Sequence, residues 1–207
     1  RFLFIEDEIR SIQIENKVSS VYTKDSVAIH ADYFFDGVGI ILNDRYTVEW
    51  KPYEFFLNNS IMSFRKDYGD PLVQCVPYSK IDIATRGYIM NLPLHDQNTF
   101  HYCYNDDWDE DDIKAELENV SRVWNQEPVI YKFKSGRSVE PCISNVCGIG
   151  TTLGNVDPIY GLNHIPTIKM VGLIADNKFS IESDWVKAEF DTLMDELATF
   201  SSLPFNL

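Results

Sequence analysis

Short apolar segments fill much of the first hundred positions, and apolar and polar residues alternate imperfectly in residues 9–15, as in a strand with one buried face. These segments are rich in β-branched and aromatic residues, which favour strands. They predict strands at 9–15, 18–24, 26–35, 38–43, 45–50, 72–78 and 81–90. Turn-forming residues separate several of them, at Lys24-Asp25, Asp36-Gly37, Asn43-Asp44 and Gly69-Asp70-Pro71. Short strands at a spacing of about 8 to 12 residues are typical of a β-barrel or a β-sandwich.

The pattern changes to a helical one between residues 105 and 127. Ile113, Leu117, Val120 and Trp124 are three and four positions apart, as on one face of a helix. Acidic residues precede them, which suits the positive end of a helix dipole. The sequence therefore predicts a helix near 109–124, ended by Glu127-Pro128.

Strand patterns return in the last third of the chain, at 129–135, 139–146 and 165–175. Ser183-Asp184 then opens a predicted C-terminal helix near 183–199. The apolar side of this helix is supplied by Trp185, Ala188, Phe190, Leu193, Met194 and Leu197.

Composition excludes several classes of protein. The chain has 207 residues, of which 44% are hydrophobic and 14% aromatic, so intrinsic disorder is excluded. No apolar run approaches the roughly 18 to 20 residues of a membrane-spanning helix. The formal net charge of −14 argues against nucleic acid or an anionic membrane as a partner.

Four cysteines, Cys75, Cys103, Cys142 and Cys147, are fewer than a disulfide scaffold of this size usually carries. They favour free thiols in a reducing intracellular compartment, although the even count leaves two bridges open. None of them forms a C-x-x-C pair, so a zinc site with His95 or His101 is not predicted.

Two further motifs fail on closer reading. Asp107, Asp109, Asp111 and Glu118 match the carboxylate positions of an EF-hand, but Asp112 stands where the sharp turn needs glycine. The glycine-rich stretch 148–154 is followed by a turn rather than a helix, so it does not predict a nucleotide site. The sequence thus predicts no metal and no cofactor, and an acid-capped helix start at 109–112.

Cys147 lies before Gly148, in a predicted turn between two strands. A small residue after a nucleophile lets backbone amides turn inward to hold an oxyanion. Taken alone, this pair indicates a buried cysteine beside a glycine turn. It gains weight from the order of five segments along the chain, which are 37–42, 51–56, 80–84, 145–148 and 170–175.

That order resembles the chymotrypsin-fold cysteine proteases of picorna-like viruses, which process viral polyproteins. The resemblance implies Cys147 as the nucleophile and Asp82 as the acid that orients the base. The position of the base falls on Glu54, where the family has histidine, and Asn145 replaces the glycine of G-x-C-G.

The resemblance also implies an oxyanion hole and a specificity pocket. The oxyanion hole is formed by the amides of Val146, Cys147 and Gly148. The strand with Gly172 and Ile174 lines the pocket, and Ile174 stands where the family has histidine.

Together these observations predict a mostly β protein of two packed antiparallel β-barrels, with a connecting helix and a C-terminal helix. The predicted parts are an N-terminal barrel (1–100), a connector with the acid-capped helix (101–127) and a C-terminal barrel with the terminal helix (128–207). The two barrels share one cleft. The oligomeric state stays open.

The predicted function is a cysteine endopeptidase that cleaves a polyprotein, or its inactive descendant, with a polypeptide substrate or protein partner. Such an enzyme acts in the cytoplasm of a host cell. The alternative is a non-catalytic acidic binding protein, such as a toxin inhibitor or a component of a viral particle, whose negative charge meets a basic partner.

Overall fold

The computed structural model describes residues 4–15, 17–37, 49–67, 78–176 and 184–203. Its contacts divide the chain into two units. The first unit collects Arg1–Pro52, Gly136–Val156 and Gly161–Phe200, and the second collects Tyr53–Ser135, Asp157–Tyr160 and Ser201–Leu207. The predicted division into 1–100, 101–127 and 128–207 stays a prediction.

The described residues of the second unit form a five-stranded antiparallel sheet. Its strands, in spatial order, are β10 (Val129–Lys132), β6 (Ser60–Asp67), β9 (Gln97–Tyr104), β8 (Gly87–Pro93) and β7 (Lys80–Ala84). The long pairing of β6 with β9 joins Ser60 to Tyr104 and Asp67 to Gln97. Side chains two positions apart point to the same face, so this register creates two distinct apolar faces.

One face of the sheet is covered by helix α1 (Glu110–Ser121). Its core consists of Met62, Phe64, Ile89, Phe100, Tyr102, Tyr104, Ile113 and Leu117. The opposite face carries a smaller cluster of Tyr88, Met90, Cys103 and Ile159, with Ile61 packed against it. Burial of both faces explains why the central strand β9 is rich in aromatic residues.

The described residues of the first unit form three small sheets of three strands each. One consists of β1 (Ile9–Glu15), β2 (Lys17–Thr23) and β3 (Ala28–Ile29). The second consists of β14 (Gly154–Asn155), β11 (Gly136–Ser138) and β5 (Trp50–Pro52). The third consists of β12 (Cys142–Ile143), β13 (Val146–Gly148) and β4 (Phe34–Asp36), and in it β13 runs parallel to β4.

Two described helices belong mainly to the first unit, α2 (Ile165–Asp176) and α3 (Asp184–Ser202), and the last two residues of α3 belong to the second unit. Helix α3 buries Val186, Phe190, Met194 and Ala198, which are four positions apart and form one stripe. Arg137 of β11 is buried and forms ion pairs with Asp191 and Asp195 of this helix.

The predicted pair of closed antiparallel barrels is wrong. Among the described residues, every sheet has two open edges, and the β13–β4 pair is parallel. The described residues have a mixed α/β architecture, in which helices α2 and α3 follow the last of the strands. A barrel needs every strand to pair on both sides, which these short sheets do not do.

Individual elements were predicted with mixed success. The helices predicted near 109–124 and 183–199 are confirmed, as α1 and α3, although α1 does not connect two barrels. The predicted strand at 165–175 is wrong, since those residues form helix α2. The predicted strand at 38–43, and most of those at 45–50 and 72–78, lie outside the described residues. The part of the chain that is described contains no helix both long and apolar enough to cross a membrane.

Candidate functional site

Cys147 does not carry the free thiol that a nucleophile needs. The residue is buried in β13, and its sulfur is bonded to that of Cys142 on the neighbouring strand β12. Their Cα atoms lie 4.2 Å apart because the two residues face each other in an antiparallel pair. The predicted set of free thiols is therefore wrong for this pair, whereas Cys103 is free and buried.

The predicted oxyanion hole lies on the same strand. Val146 and Gly148 belong to β13, which is paired on one side with β12 and on the other with β4. The amide of Gly148 donates to the carbonyl of Pro141 at 2.9 Å, so it is not turned towards a substrate. In a strand that is paired on both sides, the backbone amides donate hydrogen bonds to the neighbouring strands.

The remaining residues of the predicted protease site lie on other elements of the chain. Asp82 forms an ion pair with Lys80 on strand β7, at 2.6 Å, and Glu54 is exposed in a turn after β5. Both belong to the second unit, whereas Cys147 belongs to the first. Gly172 and Ile174 lie on helix α2 rather than on a strand, and Ile174 is buried there.

The glycine-rich stretch 148–154 is closed by its own hydrogen bonds. The amide of Ile149 donates to the carbonyl of Asp36, and that of Gly150 donates to Thr167 Oγ1 at 2.6 Å. The amide of Leu153 donates to the carbonyl of Gly150. These amides do not form the open cradle that a phosphate group requires.

The acidic run at 105–112 is used as a helix start, as the sequence predicts. Asp109 is the N-cap of α1, and its carboxylate accepts from the amides of Asp111 and Asp112. In the described part of the chain, no group of three or more His, Cys, Asp or Glu side chains is arranged to hold a metal ion.

A cavity of about 550 Å³ opens in the second unit, a size typical of small-molecule sites. Its wall comes from the segment before β6, the β7–β8 hairpin, the loop before α1, the turn at Pro158–Tyr160 and the end of α3. The lining is mainly apolar and aromatic, with Phe55, Leu57, Ile83, Tyr88, Trp108 and Ile159. Its polar members are Asn58, Thr85, Arg86, Asn105, Asp107 and Ser202.

Arg86 and Trp108 form one side of this cavity. The guanidinium of Arg86 lies 5.3 Å from the ring centre of Trp108, within the range of a cation–π contact. The same guanidinium pairs with Asp112 at 2.8 Å. These two contacts fix both side chains at the edge of the cavity.

The hairpin turn that carries Arg86 is held by Glu116 of α1. The Glu116 carboxylate accepts from the amide and hydroxyl of Thr85, at 2.9 and 2.8 Å, and from the hydroxyl of Tyr102 at 2.7 Å. Burial opposes ionisation of Glu116, but these hydrogen bonds hold its pKa below the ordinary value. The hairpin turn next to the cavity is therefore held in place by the hydrogen bonds from Thr85 to Glu116.

The buried carboxylate of Asp157 is hydrogen-bonded to residues of the cavity wall. It accepts hydrogen bonds from the hydroxyl of Tyr88, from Asn58 Nδ2 at 3.3 Å and from the amide of Ile159 at 3.0 Å. All three donors belong to residues that line the cavity. Burial raises the pKa of Asp157, and burial also raises the pKa of Tyr88.

Cys103 lies on the central strand β9, in the same buried cluster as Tyr88. Burial raises the pKa of its thiol to about 12, so the thiol stays protonated at neutral pH. Cys103 is therefore a core residue behind the cavity and does not act as a nucleophile.

None of the residues of this cavity was predicted from the sequence as a site. Asn58, Tyr88 and Asp157 are far apart along the chain and share no motif. The pair Asp157-Pro158 indicates only a turn. The sequence does mark Trp108, as an aromatic residue inside an acidic run. It does not show which other residues form the cavity with Trp108.

Comparison with known proteins identifies relatives. The family described as tryptophan halogenase matches residues 3–180. The tryptophan 6-halogenase SttH from Streptomyces toxytricini is similar in structure, with 22% identity and a TM-score of 0.81 over 94% of this chain and 42% of that one. No sequence among curated proteins matches.

Two further solved structures share the fold. The tryptophan C-6 flavin-dependent chlorinase from taromycin biosynthesis has 20% identity and a TM-score of 0.84, over 95% of this chain and 42% of its own. A flavin-dependent halogenase from Xanthomonas campestris has 16% identity and a TM-score of 0.79, over 93% and 40%. The chain thus spans about two fifths of the length of these structures.

These matches overturn the predicted relation to viral cysteine proteases. The family match covers most of the chain, whereas the protease resemblance rested on the order of short motifs. The endopeptidase, its inactive descendant and the acidic binding protein are all corrected by this finding.

Proposed function

Because this chain belongs to the tryptophan halogenase family, we propose that it forms part of a flavin-dependent halogenase of indole-type aromatic rings. The observation that carries the proposal is the cavity whose accessible wall is formed by Phe55, Ile83 and Trp108. Aromatic and apolar walls with a few fixed polar groups are suited to a flat aromatic ligand.

The flavin in this proposal comes from the names of related halogenases. When bound, a reduced flavin supplies two of the four electrons that convert dioxygen to water, and forming the carbon–halogen bond supplies the other two. The glycine-rich stretch 148–154 does not fit the phosphates of a flavin nucleotide, since the amides of Gly148, Ile149, Gly150 and Leu153 have internal acceptors. We therefore assign it no cofactor contact.

The role of this chain in the proposal is to bind and orient the ring. Trp108 is 49% exposed and held by Arg86, so its surface is available to a ligand at a fixed position. Tyr88 is held by Asp157. Fixed walls lower the entropy that is lost when a ligand is ordered.

The partners predicted from charge stay predictions. A net charge of −14 supports a protein that does not engage nucleic acid or anionic membranes. No described feature tests the oligomeric state.

The experiment is a halogenation assay with reduced flavin, dioxygen, bromide and an indole substrate, read by mass spectrometry. We expect Trp108→Ala to raise the KM for the indole about tenfold, because it removes an aromatic wall of the cavity. The matched control is Trp124→Ala, since Trp124 is 57% exposed and does not line the cavity. Equal KM values for both variants would contradict the proposal.

A further inference from the structure

The two charged residues that line the cavity, Arg86 and Asp107, differ in whether the protein itself compensates their charge. Arg86 is the cavity's one basic lining residue among those described, and its guanidinium is paired with Asp112 and lies against Trp108. Glu116 is also close enough to Arg86 to act on it electrostatically. The positive charge of Arg86 is therefore compensated within the protein.

Asp107 is the acidic lining residue, and its charge is not compensated in this way. Among the described residues it forms no ion pair, and its own amide donates to Asn105 Oδ1. Its neighbour Asp106 differs, because Lys132 pairs with it at 2.9 Å. Asp107 thus leaves a negative charge at the cavity wall.

This difference between Arg86 and Asp107 decides which ligand charge the cavity favours. A carboxylate would have to compete with Asp112 for Arg86 and would lie in the field of Asp107. A protonated amine would be attracted by Asp107 without breaking an existing pair. Opposite charges favour a complex and like charges exclude the wrong ligand.

We propose that the cavity selects an aromatic ring that carries a protonated amine and no carboxylate, such as an arylalkylamine, with Asp107 as the group that faces the ammonium. The inference rests on the proposed function, since it names the substrate class of the same cavity. Asp107 is then a specificity-determining residue, whereas Trp108 contacts the ring itself.

The test compares three probes by isothermal titration calorimetry at neutral pH and low salt: tryptamine, indole-3-propionate and indole. We expect tryptamine to bind about fivefold more tightly than indole-3-propionate, as one partly exposed ion pair allows. Asp107→Asn should remove this preference. Asp111→Asn is the matched control, because it removes the same charge from α1 outside the cavity and should keep the preference.

The outcomes separate the two proposals. If tryptamine and indole-3-propionate bind with equal affinity, or if Asp107→Asn keeps the preference, the selection of an amine is wrong and the aromatic cavity stands. If none of the three probes binds, the cavity is not the site of an aromatic substrate and the proposed function fails with the inference.

Discussion

Asp157 has no solvent-exposed surface, yet it is tied to three residues of the cavity wall. A carboxylate in such a place is costly to ionise, because burial removes its hydration. Its hydrogen bonds offset part of that cost and hold Tyr88, Asn58 and Ile159 in place. The residue therefore links the folding of the unit to the shape of the site.

The raised pKa of Asp157 predicts a particular pH dependence. An acid whose pKa is raised by folding stabilises the protein at low pH, and this contribution is lost as the pH rises from about 4 through the raised pKa. Asp157→Asn removes the titration. We therefore expect the free energy of unfolding of the unaltered protein to fall relative to that of Asp157→Asn as the pH increases. Urea unfolding at several pH values checks this, and a constant difference between the two proteins would contradict it.

The disulfide between Cys142 and Cys147 makes a second prediction at the level of residues. Denatured protein should show two more titratable thiols after reduction than before it, because one bond joins these two sulfurs. Cys142→Ser should lower the free energy of unfolding by about 2 kcal/mol, the value expected for a short closed loop. Thiol titration and urea unfolding measure the two effects. Thiol counts that do not change on reduction would show that the bond is absent.

At the scale of elements, α1 was predictable because its sequence is consistent at every level. Ile113 and Leu117 are spaced for one helix face, both are fully buried, and Asp109 caps the start. The local pattern and the tertiary burial agree here.

Helix α2 was predicted as a strand because it is rich in Ile and Val, residues that favour strands. The contrary signal was present in the spacing of Pro166, Met170, Leu173 and Ile174, which are all buried in the helix. Proline in a first turn also suits a helix. The burial of one face of α2 therefore outweighs the strand preference of its individual residues.

Two glycines at different kinds of position give an element-scale prediction. Gly87 begins β8 with φ of +156°, and a Cβ there would overlap the carbonyl of Cys103 on β9. Gly87→Ala should therefore lower the free energy of unfolding by about 2 kcal/mol or more. Thermal and urea unfolding provide the measurement.

Gly172 is the matched control for that substitution. It lies inside α2, and no atom is within 4 Å of where its Cβ would be. Gly172→Ala should raise the free energy of unfolding by about 0.5–1 kcal/mol, because alanine is the better helix former. Similar effects of the two substitutions would contradict the assigned backbone and its close contact at Gly87.

At the scale of the whole molecule, the sequence predicted separate elements better than their assembly. The segments around Cys147 follow the order of a protease, but order along the chain does not determine which strands pair. Residues 60–67 and 97–104 became the two longest strands of the main sheet, although no strand was predicted for either. The cavity depends on that sheet, so it could not be predicted either.

The cavity beside Trp108 is proposed to bind the aromatic substrate. The most direct measurement is a crystal structure of the protein soaked with tryptamine. We expect an indole ring against Phe55, Ile83 and Trp108, with its amine towards Asp107. Ligand density at another place, with this cavity empty, would contradict the claim.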